Sequence, residues 1–254
     1  CHAHDSIAGS GVDDIERDMM CRLRQVVEIG DSVTRNALAD VQRRIDTSDA
    51  APEDVLITVY NAAPFERSEV VTAVIDLPCQ ADRVRSAGVS PYPAHTPCDE
   101  FGLYDIAADK FYSVQLVSRR PHSAVVNHAE DAPANMLAEQ FEVHLDVRDI
   151  PPLGYATYRL DRREAFTRDS MITAQNTMEN EHLRVTIEDD GTLTVCDHES
   201  GHSFEGLNYF VDNGEAGHAW MHVDPAYDRA VDSRGFPVSI ALEEDGRLLA
   251  RFRV

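Results

Sequence analysis

The chain has 254 residues, 43% hydrophobic and 27% charged, with 45 acidic against 23 basic side chains and a formal net charge of −22. The length suits one large or two small domains, and so acidic a surface repels phosphate backbones and anionic lipid, which argues against nucleic-acid and membrane partners. No run of 18 apolar residues is present to span a bilayer, and no basic stretch leads into an apolar one as in a signal peptide.

The amino end reads Cys1-His2-Ala3-His4-Asp5, in which four of five residues are metal-ligand types. The spacing does not suit a closed zinc site: Cys1 and His2 are adjacent, and no second ligand pair follows at a finger-like distance. The segment is either one ligand of a site built elsewhere or a solvated tail, and spacing alone favours the tail. A small-residue turn then leads into a helix. Asp13, with Glu16 three residues on, reads as a capping box. Apolar residues at Ile15, Met19, Leu23, Val26, Val33, Ala37, Val41 and Ile45 keep helical spacing. Gly30 lies on this seam and costs roughly 1 kcal/mol against Ala; it is expected to admit a close neighbour, with the helix continuing through it. A stripe that long calls for partner helices, and no other helical pattern occurs in the chain. Cys21 falls in the stripe and reads as a small core residue. The cysteines are Cys1, Cys21, Cys79, Cys98 and Cys196. An odd count without a pairing pattern argues against a disulfide framework and for a reducing, cytoplasmic setting.

Residues 48–53, with Pro52, end the helix. Strands are expected at Val55–Tyr60, Val70–Leu77, Phe111–Val117, Phe141–Val147 and Tyr155–Leu160, separated by Pro- and Gly-bearing turns, which together suggest a small antiparallel sandwich. Beyond Met171, His182–Ile187, the turn Asp189-Asp190-Gly191 and Thr192–Cys196 form a hairpin with a type I′ or bulged loop. Val238–Leu242 and Arg247–Val254 form a second hairpin, and Glu243-Glu244-Asp245 between them reads as a solvated turn. The expected fold class is α+β, mainly β: a helical segment at 1–48, a small β-sandwich at 54–165, and the start of a larger, truncated β-sandwich at 170–254. With no initiator Met and a last strand that lacks a sheet to join, the chain reads as a piece of something longer.

Acidic residues are too numerous for any pair to stand out as glycosidase carboxylates. No nucleophile elbow or phosphate loop occurs. His218 and His222 flank Trp220; at i and i+4 they could share a metal on a helix, but the surroundings read as strand or loop. Trp220 could stack on a sugar face, although a core position is the commoner fate of such a residue.

Cys1–Ser10, followed by a helix containing Asp18-Met19-Met20-Cys21-Arg22-Leu23, resembles the junction motif of glycoside hydrolase family 38, the α-mannosidases: His-Asp, a small-residue turn, then a helix with Asp-x-x-x-Arg-Leu character. Val59–Ser68 is similar to the family's strand and turn with Asn-Pro-Leu, and Glu179–Thr194 to its Asn-bearing strand and Asp-Gly hairpin. The resemblance implies a catalytic barrel-like domain before this segment, a three-helix middle domain and C-terminal β-sandwiches. It implies a retaining enzyme with Zn²⁺. His4 would be one zinc ligand and Asp5 a substrate-binding carboxylate. The nucleophile and the other ligands would lie in the missing N-terminal domain, leaving no catalytic residue here and the fragment alone inactive. Ala3 stands where many members carry a second His, and Gly217-His218-Ala219-Trp220 stands at a Gly-Asp-x-Tyr type segment. These departures suggest a bacterial-type member, with mannosylglycerate derivatives as substrates alongside mannosides. The alternative is a carbohydrate-binding or structural β-sandwich module without catalysis.

Overall fold

Helix α1 (Asp13–Gln42) opens the part of the chain that the computed structural model describes, namely residues 11–51, 54–78, 99–126, 134–218 and 220–254. Val12, in extended backbone, is the N-cap and makes no side-chain cap. Asp13 is therefore the first helical residue, and the expected capping box does not form. Its acidic residues act on the helix end in another way: Asp13, Asp14 and Glu16 place negative charge in the first turn, against the positive end of the helix dipole. The helix runs through Gly30 as expected, but among the described residues nothing approaches the position of a Cβ there. No residue of α1 is buried, and Cys21 is exposed, so the core reading of Cys21 is corrected. Ion pairs one turn apart, such as Arg22 to Asp18 at 2.7 Å, line the helix.

Contacts divide the chain into two units, Cys1–Asp49 with Tyr209–Phe236, and Ala50–Asn208 with Pro237–Val254. In the first, besides α1, a two-stranded ladder, β13 (Val211–Asp212) with β14 (Val231–Asp232), closes an excursion over 213–230. The Phe210 N–H donates to Ser233 Oγ at 3.1 Å and the Ser233 N–H to the Phe210 carbonyl at 2.9 Å, which fastens its base.

The second unit contains two facing sheets. One is β2 (Arg67–Pro78), β6 (Ala134–Ile150) and β5 (Val114–Val126), with β6 central. The other runs β1 (Leu56–Tyr60), β7 (Tyr155–Asp161), β3 (Gly102–Asp105) and β4 (Lys110–Tyr112). Period-two alternation points Phe141, Val143, Leu145 and Val147 of β6 into one core with Leu103, Tyr112 and Tyr158 of the other sheet. Phe101, Phe141 and Phe166 close one end, with Phe101 edge-on to Phe141 at 5.4 Å and to Phe166 at 4.9 Å. This is the antiparallel sandwich expected from the sequence.

One expected strand is really two. Phe111–Val117 breaks at Ser113, so that β4 joins one sheet and β5 the other. Val114 and Gln115 are both buried, which no strand with one solvated face would show. A third sheet is a meander in chain order, from β8 (Ile172–Ala174) through β9 (Thr177–Glu179), β10 (Leu183–Ile187) and β11 (Leu193–Asp197) to β12 (Ser203–Leu207). The β10–β11 loop is the bulged one. The Gly191 N–H donates to the Glu188 carbonyl at 2.9 Å, Gly191 takes φ +82°, and the Glu188 N–H reaches the Thr192 carbonyl at 2.8 Å. The last hairpin pairs β15 (Ala241–Glu244) with β16 (Arg251–Arg253).

Phe141 is fully buried between aromatic neighbours. Phe141→Ala is expected to destabilise the second unit by about 3–5 kcal/mol, read as a lowered urea midpoint at unchanged slope; a shift worth under ~1 kcal/mol would contradict the packing described.

Candidate functional site

His4 and Asp5, the sequence-derived metal and substrate residues, lie outside the described residues, as do Cys1 and His2. Among the described residues no group of three or more His, Cys, Asp or Glu side chains could hold a metal ion. The described residues therefore do not by themselves fit zinc.

The most developed polar cluster lies on the outer face of the three-stranded sheet. There, even-numbered residues of β6 meet polar partners on both flanking strands. Gln140 accepts from Arg120 of β5 at 2.8 and 2.6 Å and donates to Asp76 of β2 at 3.0 Å. His144 lies opposite Thr72 and Gln115 in register. Its ring is only 3% exposed, with Nε2 2.5 Å from Glu244 Oε1 and Nδ1 2.9 Å from Thr72 Oγ1. A carboxylate only accepts, so Nε2 carries the proton, and the Thr72 hydroxyl can donate to the other nitrogen of a neutral ring. Gln115 completes the cluster. Its Nε2 donates to Glu244 Oε1 at 3.1 Å and to the Leu249 carbonyl at 2.9 Å, and its Oε1 accepts from the N–H groups of Leu248 at 2.8 Å and Leu249 at 3.1 Å. One amide side chain thus serves the turn after β15 as a neighbouring strand would.

Glu244 is 13% exposed, which corrects at Glu244 the expectation of a solvated turn over Glu243–Asp245; Glu243 and Asp245 are exposed. The cause is a bulge between Leu242 and Glu244, which leaves Leu242 and Glu243 outward and turns Glu244 in. Gly246 fits beneath only because it lacks a Cβ, which would lie 2.1 Å from the Gln115 carboxamide carbon. Beside Gln115 is a cleft of about 240 Å³, also lined by Glu100, Phe166, Arg168 and Asp245. Its charges already have partners: Arg168 pairs with Glu100, and Asp245 accepts from Ser170 Oγ at 2.5 Å.

The second cluster lies in the 213–230 excursion. His218 and Met221 form an isolated bridge, His218 N–H to Met221 carbonyl and the reverse, both 3.0 Å. His218 and His222 therefore sit in a tight hairpin, not on a helix. His222 is instead held by two carboxylates, Glu215 at Nδ1 and Asp224 at Nε2, the latter at 3.0 Å. Glu215 Oε1 also accepts from the N–H groups of Gly217 at 2.5 Å and Val223 at 2.9 Å. These backbone N–H groups, with the His222 ring, hold the Glu215 carboxyl down at about 2. Glu215, then Asp224, push the His222 ring above its ordinary value. Trp220 is 60% exposed in the same hairpin, so its core placement is corrected.

Residues that carry the motifs prove to be structural. Asn61 is buried; its Nδ2 reaches the carbonyls of Phe65 at 2.8 Å, Ile150 at 3.1 Å and Pro151 at 3.1 Å, and its Oδ1 accepts from Ala63 N–H at 2.9 Å. It ties the turn after β1 to the end of β6. Asn180 Oδ1 accepts from the N–H groups of His182 and Leu183 and starts β10.

No family model matches the chain. An α-mannosidase from Enterococcus faecalis V583 superposes with a TM-score of 0.78 at 24% identity over 99% of this chain and 29% of its own. A glycosyl hydrolase family 38 protein from Enterococcus faecalis superposes with a TM-score of 0.77 at 24% identity, over 99% of this chain and 30% of its own. The fold is that of a segment of the family 38 α-mannosidases. By sequence, the chain is 21% identical over 279 residues to a Halalkalibacterium halodurans protein named "Putative mannosylglycerate hydrolase", of which it spans 29%.

Glu244→Ala would leave the His144 and Gln115 N–H groups without an acceptor, and each unsatisfied buried donor costs about 1–3 kcal/mol. The variant is expected to lower the urea midpoint clearly, and Glu244→Gln, which keeps an acceptor oxygen, to lower it less. Equal losses for the two would contradict the bonding described.

Proposed function

We propose that this chain is part of a zinc-dependent, retaining glycoside hydrolase of family 38 that cleaves α-mannosidic bonds in mannosides or mannosyl conjugates such as mannosylglycerate. One observation carries the reading: 99% of the chain superposes, at a TM-score of 0.78, on 29% of an α-mannosidase. The His4-Asp5 pair preceding α1 supports it. In this reading residues 1–48 belong to the helical middle domain, 54–165 are a small β-sandwich, and 170–254 begin a larger one. The catalytic domain precedes them in the same protein.

His4 would then supply one imidazole ligand to zinc across the domain boundary, and Asp5 would accept hydrogen bonds from sugar hydroxyls. The metal, when bound, supplies Lewis-acid polarisation and a template for the sugar. The residues of this chain bind and orient; the nucleophile and the acid lie elsewhere. The acidic surface disfavours a nucleic acid or an anionic membrane as partner. Among the described residues no helix is long and apolar enough to cross a membrane.

A second reading has one observation in its favour. Trp220, exposed in a tight hairpin, could stack on a sugar ring in a module that binds carbohydrate without cleaving it.

His4→Ala in the full-length enzyme is expected to lower kcat/KM for an aryl α-mannoside by about 100-fold or more, and to lower zinc content measured on the purified protein. Unchanged rate and zinc content would overturn the assignment of His4. The chain of 254 residues alone is expected to show no turnover with or without added zinc. Turnover would refute the proposal that catalysis belongs to an absent domain. Sugar binding by the chain alone that disappears in Trp220→Ala would support the second reading.

A further inference from the structure

We propose that the hairpin Glu215–Asp224 is a proton-operated clasp, in which the His222 ring, bridging Glu215 and Asp224, fixes the position of Trp220. The idea is independent of which sugar, if any, the protein binds.

The geometry sets the requirement. Glu215 opens the hairpin and Asp224 closes it, and the His222 ring spans them with one nitrogen towards each carboxylate. Carboxylates accept and do not donate, so both contacts are hydrogen bonds only when both ring nitrogens carry protons. A neutral ring has one N–H. It can serve one carboxylate, and it then turns a lone pair towards the other. Glu215 has further bonds to hold it, from Gly217 N–H and Val223 N–H. Asp224 has the longer contact, at 3.0 Å, and is the end that releases.

The hairpin has little freedom to adjust. A Cβ at Gly217 would lie 2.0 Å from the Met221 carbonyl oxygen. Two further groups border the clasp. His218 Nδ1 accepts from the Trp220 N–H at 3.2 Å, and Asp228 of the returning segment accepts from the Gly214 N–H at 2.8 Å. Among the described residues neither bonds the His222 ring. The arms are also joined by Ala216 N–H to the Val223 carbonyl at 2.9 Å and by Val223 N–H to Glu215 Oε1 at 2.9 Å, so what the ring adds is the link to Asp224.

The direction with pH follows. Glu215 first, then Asp224, raise His222 above its ordinary 6.5. Its contribution is therefore complete below 6.5 and disappears as pH rises through the raised value. Glu215 is lowered from 4.5 to about 2, so its contribution is complete above 4.5 and is lost as pH falls through about 2. The clasp is at full strength between these limits and opens on the alkaline side by loss of the His222 proton.

Trp220 is the sole tryptophan of the chain, so its emission reports the hairpin directly. Emission of the 254-residue protein is to be followed from pH 6 to pH 9, together with amide hydrogen exchange at Gly217 and Val223. The expected result is a single transition with a midpoint above 6.5, and faster exchange at both amides in His222→Gln than in the parent protein at pH 6. In His222→Gln the transition is absent; in Asp224→Asn its midpoint falls; in His218→Gln it persists. A flat emission profile would overturn the clasp, as would the same transition in His222→Gln. A change of emission with no difference in exchange would show quenching by the imidazolium alone, and would overturn it too.

Discussion

Strand β6 has to satisfy opposite demands on its two faces. Phe141, Val143, Leu145 and Val147 fill the space between two sheets, while Gln140, Glu142 and His144 point the other way. On this central strand the outward side chains meet partners on both flanking strands. The register turns this into a set of polar rungs. Asp76–Gln140–Arg120 and Thr72–His144–Gln115 each cross three strands, with Ser118 bonding Glu142 at 3.1 Å between them. A slip of one residue would place His144 in the core and Leu145 in the polar ladder, so the two patterns fix the same register independently.

The Thr72–His144–Gln115 rung is also where a distant part of the chain attaches. His144 and Glu244 are 100 residues apart, and Gln115 and Leu249 134 apart. Ordinary hydrogen bonds add only about 1 kcal/mol each. Here, however, a single carboxamide uses both its oxygen and its nitrogen on the backbone of the turn, and a single carboxylate oxygen serves two donors. Removing Glu244 strands the donors of the buried His144 and Gln115, which is why these three act as a unit. The cluster is one of the links that join Pro237–Val254 to Ala50–Asn208, beside Ser170 to Asp245.

Much of this fold is legible in the sequence because its pattern is local. Alternation over Phe141–Val147 and an Asp-Gly turn after Ile187 each carry their own evidence within a few residues. The short strands β3, β8, β9, β12, β13 and β14, of two to five residues, have too few alternations to register. Other features depend on partners that sequence distance conceals. Glu244 sits in an acidic run that looks solvated, and only a bulge and a histidine on β6 bury it. The split at Ser113 leaves Val114 and Gln115 buried on opposite faces of β5, Val114 in the core beside Leu145 and Gln115 beside His144. The α1 stripe errs in the other direction: correct periodicity places Leu23, Val26 and Val33 on one side, yet among the described residues they remain exposed. Periodicity fixes a helix, whereas burial needs a partner.

The same distinction bears on how far the resemblance reaches into chemistry. Asn61 and Asn180 carry two of its motifs, and both spend their side chains on backbone groups of nearby turns. Gly191 carries a third and supplies a left-handed turn position. Such residues specify where strands begin and end, which suits a likeness that covers 99% of the chain at 24% identity. Within the motifs quoted, His4 and Asp5 are the residues proposed for metal and sugar. The hairpin around Trp220 departs from the family pattern at His218 and Trp220, and its His222 ring lies between two carboxylates. Shared architecture and substrate choice therefore rest on different residues here, and the experiments that test one leave the other untouched.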